Sequence, residues 1–366
     1  MNDLIEETEH IIRMSGFFGK RWALLAGRDV TGLILLIEEL TPPDGRVILP
    51  ATCCMTRLAA VLQTGRTPVI VDVDRNLSMD PIQLVNIAKK GDLVVAVHLF
   101  GIPFRYESIY EVCKQRQCIL VEDASQATGA DIDGRPAGSL GIASIISFSD
   151  RKLFPTIGGG CILMEDEDLY SLMKPRVREL PSRPSFYRTT KRQMQKDFED
   201  PLRRTRMGEI YAAGEWMALY KKYDGIYRFG VLEREVEQIQ TAFAKFEDTV
   251  DHRRKMVYAL RKNIERADVH ILEYPINSAP WRFTFYTSNN MTGEDTMNLA
   301  EALRKGGLDV NQLYIPLHWL APVKTVTDGC PVAEYAGVRT INIRVDQDTT
   351  EDHARIAGEI IMSLAK

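Results

Sequence analysis

The 366-residue sequence has no CxxC pair among its six cysteines, no excess of basic charge and no apolar run long enough to cross a bilayer. Each absence closes off a class of function. Cys53, Cys54, Cys113, Cys118, Cys161 and Cys330 are too scattered for a disulfide framework or a dithiol redox motif, so they read as reduced thiols of a cytoplasmic protein. A formal net charge of -4 gives no electrostatic case for nucleic acid. No window approaches the ~20 apolar residues of a membrane helix. The acidic opening MNDLIEETEH reads as neither a signal peptide nor a membrane anchor. No His, Cys or carboxylate group has metal-ligand spacing, so no metal site is expected. There is no internal repeat or low-complexity tract. The composition, 45% hydrophobic and 26% charged, is that of a globular protein long enough for two or three domains, so function has to be sought in a site.

What is present is an alternation. From residue 47 to 147, short apolar runs alternate with amphipathic ones, the pattern of strands and helices around a largely parallel sheet. The runs at 47–49, 67–71, 93–97, 118–121 and 143–148 read as strands; 81–89 and 108–115 have helical spacing. In such sheets ligands bind at the carboxyl ends of the strands. The residues that follow each run, among them Asp72, His98, Asp123 and Ser149, therefore matter most. Residues 174–206 carry eleven Lys and Arg and no strand pattern. One long helix is expected over 231–263, leading to a smaller C-terminal unit with strands in WRFTFYT and RTINIRV and helices at 293–305 and 351–364. The expected division is a large domain, 1–245, with a basic insertion near 174–225, and a linking helix plus small domain, 246–366.

Two stretches carry the chemistry. ILVEDASQATGA and SIISFSDRKLFPTIGGG each begin as an apolar strand and end in polar residues. Asp123, Gln126, Ser147 and Lys152 are thereby expected at one edge of the sheet. A lysine and a buried carboxylate without a metal cluster suit Schiff-base chemistry with pyridoxal phosphate, in which the carboxylate keeps the pyridine nitrogen protonated. The phosphate needs backbone donors at a helix start. The turn Ala26-Gly27-Arg28, opening the helical run DVTGLILLIEEL, fits that need.

With AGRDVTGL, DGRVILPATCC, GRTPVIVDVDRNLSMDP, VHLFGIP, the two stretches above and YIPLHWLAPV in that order, the chain resembles the DegT/StrS-type sugar aminotransferases over nearly its whole length. The resemblance implies an α/β fold of the type I pyridoxal-phosphate class and a homodimer with shared active sites. It implies an amino donor such as glutamate or glutamine and a keto-sugar acceptor, nucleotide-linked. It makes Lys152 the Schiff-base lysine and Asp123 the partner of the pyridine nitrogen. Gln126 would lie near the ring hydroxyl, Ser147 would donate to the phosphate, and Gly27 and Arg28 would complete its cup. Gly158, Gly159 and Gly160 would leave clearance for cofactor or substrate. The chain departs from the family at Arg28, where a hydroxyl is usual, at Cys54, where an aromatic usually stacks, and at Ile226, where an asparagine is usual.

Alternatives stay open on the residues alone. His98 reads as a hydrogen-bonded structural histidine rather than a base, and His318 as either an entrance or a packing residue. Arg282 and Arg344 are candidates for a donor's carboxylate. The basic segment is either a solvated face or a diphosphate-binding surface. The acceptor could instead be a non-nucleotide ketone or an unusual amino acid of secondary metabolism. The fold could also serve a non-catalytic regulator or partner subunit, although such a protein has no physical reason to keep both Lys152 and Asp123.

Overall fold

The computed structural model describes all residues except 150, 151, 155, 210–212, 244, 245, 321, 322, 326–328 and 366. Helix α1 (Asn2–Met14) leads into strand β1 (Trp22–Ala26), helix α2 (Asp29–Leu40), β2 (Arg46–Pro50), α3 (Met55–Gln63) and β3 (Thr67–Val71). Then follow α4 (Pro81–Ile87), β4 (Leu93–Val97), α5 (Tyr106–Arg116) and β5 (Ile119–Asp123). A small hairpin, β6 (Asp131–Ile132) and β7 (Arg135–Pro136), precedes β8 (Ala143–Ser147) and β9 (Gly160–Met164). The strands β2 to β5 and β8 pair in parallel, whereas β9 runs antiparallel to both β8 and β1. The sheet order is β1-β9-β8-β5-β4-β2-β3, closed at its far edge by β13 (Lys324–Thr325).

The parallel strands are buried on both faces, which is why their sequences are continuous apolar runs. Leu93 to Val97 are all buried. Helix α2 is apolar nearly all round because it is enclosed, with Val30 to Ile37 buried. Gly32 lets it approach the sheet: a Cβ there would lie 2.7 Å from Ile162.

The second half is helical before it returns to strand. Helix α6 (Glu167–Arg178) and α7 (Tyr187–Arg206) carry the basic segment, and α8 (Ala213–Lys222) follows. Phe198 of α7 packs against Trp216, Tyr220 and Tyr223, tying these helices together. The long helix expected over 231–263 is described as α9 (Glu233–Phe243) and α10 (Phe246–Ile264), with 244 and 245 outside the described residues. A second antiparallel sheet has the order β10 (Val269–Ile271), β11 (Arg282–Thr287), β14 (Thr340–Arg344), β12 (Val310–Asn311). It has its own core of Leu260, Phe283, Phe285, Leu299, Ile343 and Ile361 under α10, α11 (Gly293–Lys305) and α13 (Glu351–Leu364). Helix α12 (Pro331–Arg339) packs beside it, its first turn capped by Asp72 from the large sheet, which accepts from Val332 and Ala333 N–H.

Among the described residues no helix is long and apolar enough to cross a membrane.

Candidate functional site

The carboxyl ends of β1, β2, β5 and β8 converge. Ala26 ends β1, and Arg28, in extended conformation, caps α2, which opens with the buried Asp29. Pro50 ends β2, and Cys54 caps α3, whose first turn holds Arg57. Asp123 ends β5 and is 1% exposed; Ser147 ends β8.

At the centre is an ion cluster. Arg57, 2% exposed, donates from Nε to Asp123 Oδ2 at 2.5 Å and from Nη2 to Asp29 Oδ2 at 2.6 Å. Ser125 ties the two carboxylates together: its N–H donates to Asp123 Oδ1 at 3.0 Å and its hydroxyl to Asp29 Oδ2 at 3.3 Å. Burial alone would raise the Asp29 carboxyl, yet Arg57, Arg28 and Lys152 together hold it well below the usual carboxylate range.

Lys152 enters from the loop after β8. Its N–H donates to Ser149 O at 2.9 Å, and Thr156 closes the loop, donating from N to Phe148 O at 3.2 Å and from its hydroxyl to Gly158 O at 2.6 Å. Lys152 Nζ lies 4.4 Å from the centroid of the Trp281 ring. Burial lowers its pKa; Asp29 and Asp123 pull it back up and Arg57 pushes it down, leaving it below that of an ordinary lysine. The shift favours the neutral form, the one in which an amine is nucleophilic.

The other expected residues are placed differently. Gln126 forms part of the wall: its Oε1 accepts from Phe100 N–H at 3.0 Å and its Nε2 donates to Tyr314 OH at 3.3 Å. Tyr314 stacks on Phe100, and Phe100 on Trp281. Ser147 Oγ is 3.4 Å from Ser149 Oγ. The Gly27 N–H, expected at the phosphate, donates to Phe229 O at 3.1 Å, and a Cβ on Gly27 would lie 2.2 Å from the Phe229 ring. Gly27 is therefore required by Phe229. The glycine turn also serves the chain's own packing. A Cβ would lie 2.0 Å from Glu235 Oε1 at Gly158, 3.0 Å from Ile239 at Gly159 and 2.1 Å from Asp29 N at Gly160. These close approaches come from α9 and the start of α2.

His98 is structural in its contacts: Nε2 meets Glu122 at 2.8 Å and Nδ1 accepts from Phe104 N–H. His318 pairs with Glu334 at 2.9 Å and Arg344 with Asp346 at 2.7 Å. Arg282 Nη1 lies 3.9 Å from Asp309.

The residues fit pyridoxal phosphate by their chemistry. There is a desolvated amine, a buried carboxylate and, at the start of α2, the buried Arg28 Nε without a hydrogen-bond partner among the described residues; Thr52 Oγ1, just beyond β2, is in the same condition. Buried polar atoms left this way point to a missing partner. A cleft of about 760 Å³ adjoins, reached past Cys54 and Tyr314 and walled by Arg203 and Arg206 of α7 and Arg304 of α11. Arg206 donates to Gln312 O, and burial followed by the nearby Arg304 pushes its pKa down to about 10.

Sequence reasoning missed Arg57, Asp29 and Trp281. The one available signal was an arginine inside the apolar helix MTRLAAVLQ, where a buried charge requires a partner.

Known proteins resemble the chain in sequence and in fold. The GDP-perosamine synthase of Caulobacter vibrioides is 31% identical over 161 residues, 43% of either chain, so that match spans under half of the relative. The GDP-perosamine synthase of Escherichia coli O157:H7 is 24% identical over 88% of this chain and 80% of its own. The fold is that of the E. coli GDP-4-keto-6-deoxy-D-mannose-3-dehydratase solved with bound hydrated PLP, with a TM-score of 0.78 at 18% identity, covering 98% of this chain and 91% of that one. The sequence model of the DegT/DnrJ/EryC1/StrS aminotransferase family matches residues 15–221, more than half of the chain, and the protein belongs to that family.

Proposed function

We propose that the protein is a pyridoxal-5′-phosphate-dependent aminotransferase that passes the amino group of an amino acid, glutamate or glutamine, to a nucleotide-linked keto-sugar. The observation that carries this reading is the buried cluster in which Lys152 shares one electrostatic environment with Asp29 and Asp123 at the carboxyl edge of the sheet. When bound, pyridoxal phosphate supplies an aldehyde for a lysine and a ring that takes up electron density. Lys152 Nζ, desolvated against Trp281, is the amine that engages it. Once displaced by the amino donor, the same Nζ takes the proton from the donor's α-carbon. Asp123 would be the partner of the ring nitrogen. Arg28 and Ser147, at the start of α2 and the end of β8, take the phosphate. Gln126, fixed by Phe100 and Tyr314, sets the wall on the ring-hydroxyl side.

The acceptor enters the cleft beside Cys54 and Tyr314, where Arg206 and Arg304 attract the diphosphate of its nucleotide. The same proposal includes a cytoplasmic homodimer with shared active sites, a role in sugar or secondary metabolism, and the division into 1–245 and 246–366.

The test is amino transfer from 15N-labelled glutamate or glutamine to keto-sugars with and without the nucleotide, followed by mass spectrometry, in the parent protein and in Lys152→Ala. Label in the sugar only with Lys152 present, and only with the nucleotide attached, is the expected result. Equal turnover without the nucleotide contradicts the assignment of the acceptor. No transfer to any keto-sugar contradicts the aminotransferase.

A further inference from the structure

Beside the cleft lies a second cavity, of about 180 Å³, that the proposed chemistry leaves unused. It sits between α3, α7 and α8, with Ala59, Phe198, Tyr220, Tyr223 and Tyr227 in its wall. An apolar cavity of about 150 Å³ accepts a benzene-sized ring, so this one has room for a planar heterocycle. Its lining side chains also carry two polar atoms, Tyr220 OH and Gln63 Oε1, that are buried with no hydrogen-bond partner among the described residues.

The cavity adjoins the cleft. Met55 of α3 and Leu202 of α7 line both, while Arg203 and Arg206, further along α7, line the cleft only. From Met55, next to Cys54, the cavity follows α3 to Gln63, a rise of about 12 Å at roughly 1.5 Å per residue.

We propose that this cavity receives the nucleobase of the acceptor, with Met55 and Leu202 marking the passage between base and diphosphate. The proposal rests on the reading of a nucleotide-linked acceptor and deepens it by placing the base. The order of surfaces along α7 carries it. Cations at Arg206 and Arg203 give way to Leu202 and then to the aromatic wall at Phe198, the order in which a sugar nucleotide presents diphosphate and base. Aromatic rings hold a base by stacking whatever its identity, worth roughly tenfold in affinity. The base edge, with its N–H and carbonyl groups, offers partners for Gln63 Oε1, which only accepts, and for the Tyr220 hydroxyl. Met55, unbranched and adaptable, lets the ring pass from the cleft.

The experiment uses the full-length protein without any sugar. 5-Azido-UDP and 8-azido-GDP are photolysed on it, and the labelled peptides are mapped by mass spectrometry. Calorimetry then compares UDP, GDP and inorganic pyrophosphate on the parent, Ala59→Phe and Tyr220→Phe. The expected label falls on peptides spanning Met194 to Leu202 or Tyr220 to Tyr227 and is blocked by excess unmodified nucleotide. At least one nucleotide binds about tenfold more tightly than pyrophosphate. Ala59→Phe, which fills the cavity, removes that advantage and leaves pyrophosphate binding unchanged. Tyr220→Phe weakens the nucleotide alone by about threefold. Should Ala59→Phe fail to fold, Tyr220→Phe and the label map decide. Label only outside these peptides, or nucleotide affinity unchanged in both variants, overturns the proposal and leaves the nucleotide-linked acceptor standing; a second copy of this chain filling the cavity would give that result. Binding of neither nucleotide overturns the proposal together with the nucleotide-linked acceptor.

Discussion

Lys152 Nζ lies 4.4 Å from the centroid of the Trp281 ring, and these two residues join the loop after β8 to the start of β11 in the second sheet. A ring face attracts a cation by roughly 0.5–2 kcal/mol, but the same ring keeps water away. At this site burial is the largest influence on the amine and lowers its pKa from 10.5. Trp281→Ala therefore admits water and moves the Lys152 pKa back up. Acetylation of the Lys152 peptide, followed by mass spectrometry over pH, will need a higher pH in the variant; an unchanged profile contradicts this. Linkage gives the sign for stability. Between the lowered folded pKa and the unfolded value, the unfolded chain binds the extra proton, so stability rises with pH through that window and falls as pH drops through it. Lys152→Met removes this slope from denaturant melts.

The glycines predict opposite signs at two sites. At Gly160 a Cβ would meet backbone, 2.1 Å from Asp29 N, which no rotamer change relieves. Gly160→Ala costs about 3 kcal/mol by forced repacking and displaces the start of α2. Gly214, within α8, has nothing within 4 Å of a Cβ. Gly214→Ala stabilises by about 0.5–1 kcal/mol through helix propensity. Urea melts check both.

Glu122 predicts a purely structural variant. Its carboxylate accepts from His98 Nε2, Gly138 N–H, Leu140 N–H and Gly141 N–H. Burial alone would raise its pKa, yet these donors hold it below the usual value, so its contribution is fully present above the ordinary carboxylate value and is lost as pH falls from there through the lowered value of the folded state. Glu122→Gln turns an amide toward these N–H groups and lowers stability by roughly 3 kcal/mol. Turnover per folded molecule will be unchanged.

Arg206 predicts a split in kinetics. It lines the cleft with Arg203 and Arg304 and is the more deeply buried cation near α11. Arg206→Gln raises KM for a nucleotide-linked acceptor about tenfold, the equivalent of 1.4 kcal/mol, and leaves KM for the amino donor unchanged. A matched rise for both substrates contradicts a diphosphate role.

The strands were legible because burial on both faces writes them as apolar runs; Thr67–Val71 and Leu93–Val97 lie where the pattern puts them. Helices α11 and α13 were equally legible, since Thr292 and Thr350 mark their starts as capping residues. What stayed hidden was partnership across the fold. Arg57 meets Asp123 over a separation of 66 residues, and no local pattern announces such a pair. The glycine turn was visible, but the groups that require it, Glu235 and the backbone at Asp29, come from other elements. Gly27 likewise reads as a phosphate turn until Phe229 is found on its N–H.

The central claim is that Lys152 is the amine that holds the cofactor. Its most direct test is borohydride reduction of the pyridoxal-phosphate-loaded protein, followed by peptide mass mapping. One reduced cofactor on the peptide containing Lys152, absent from Lys152→Ala, is the predicted result. A label on another lysine, or no label on the loaded protein, would contradict it.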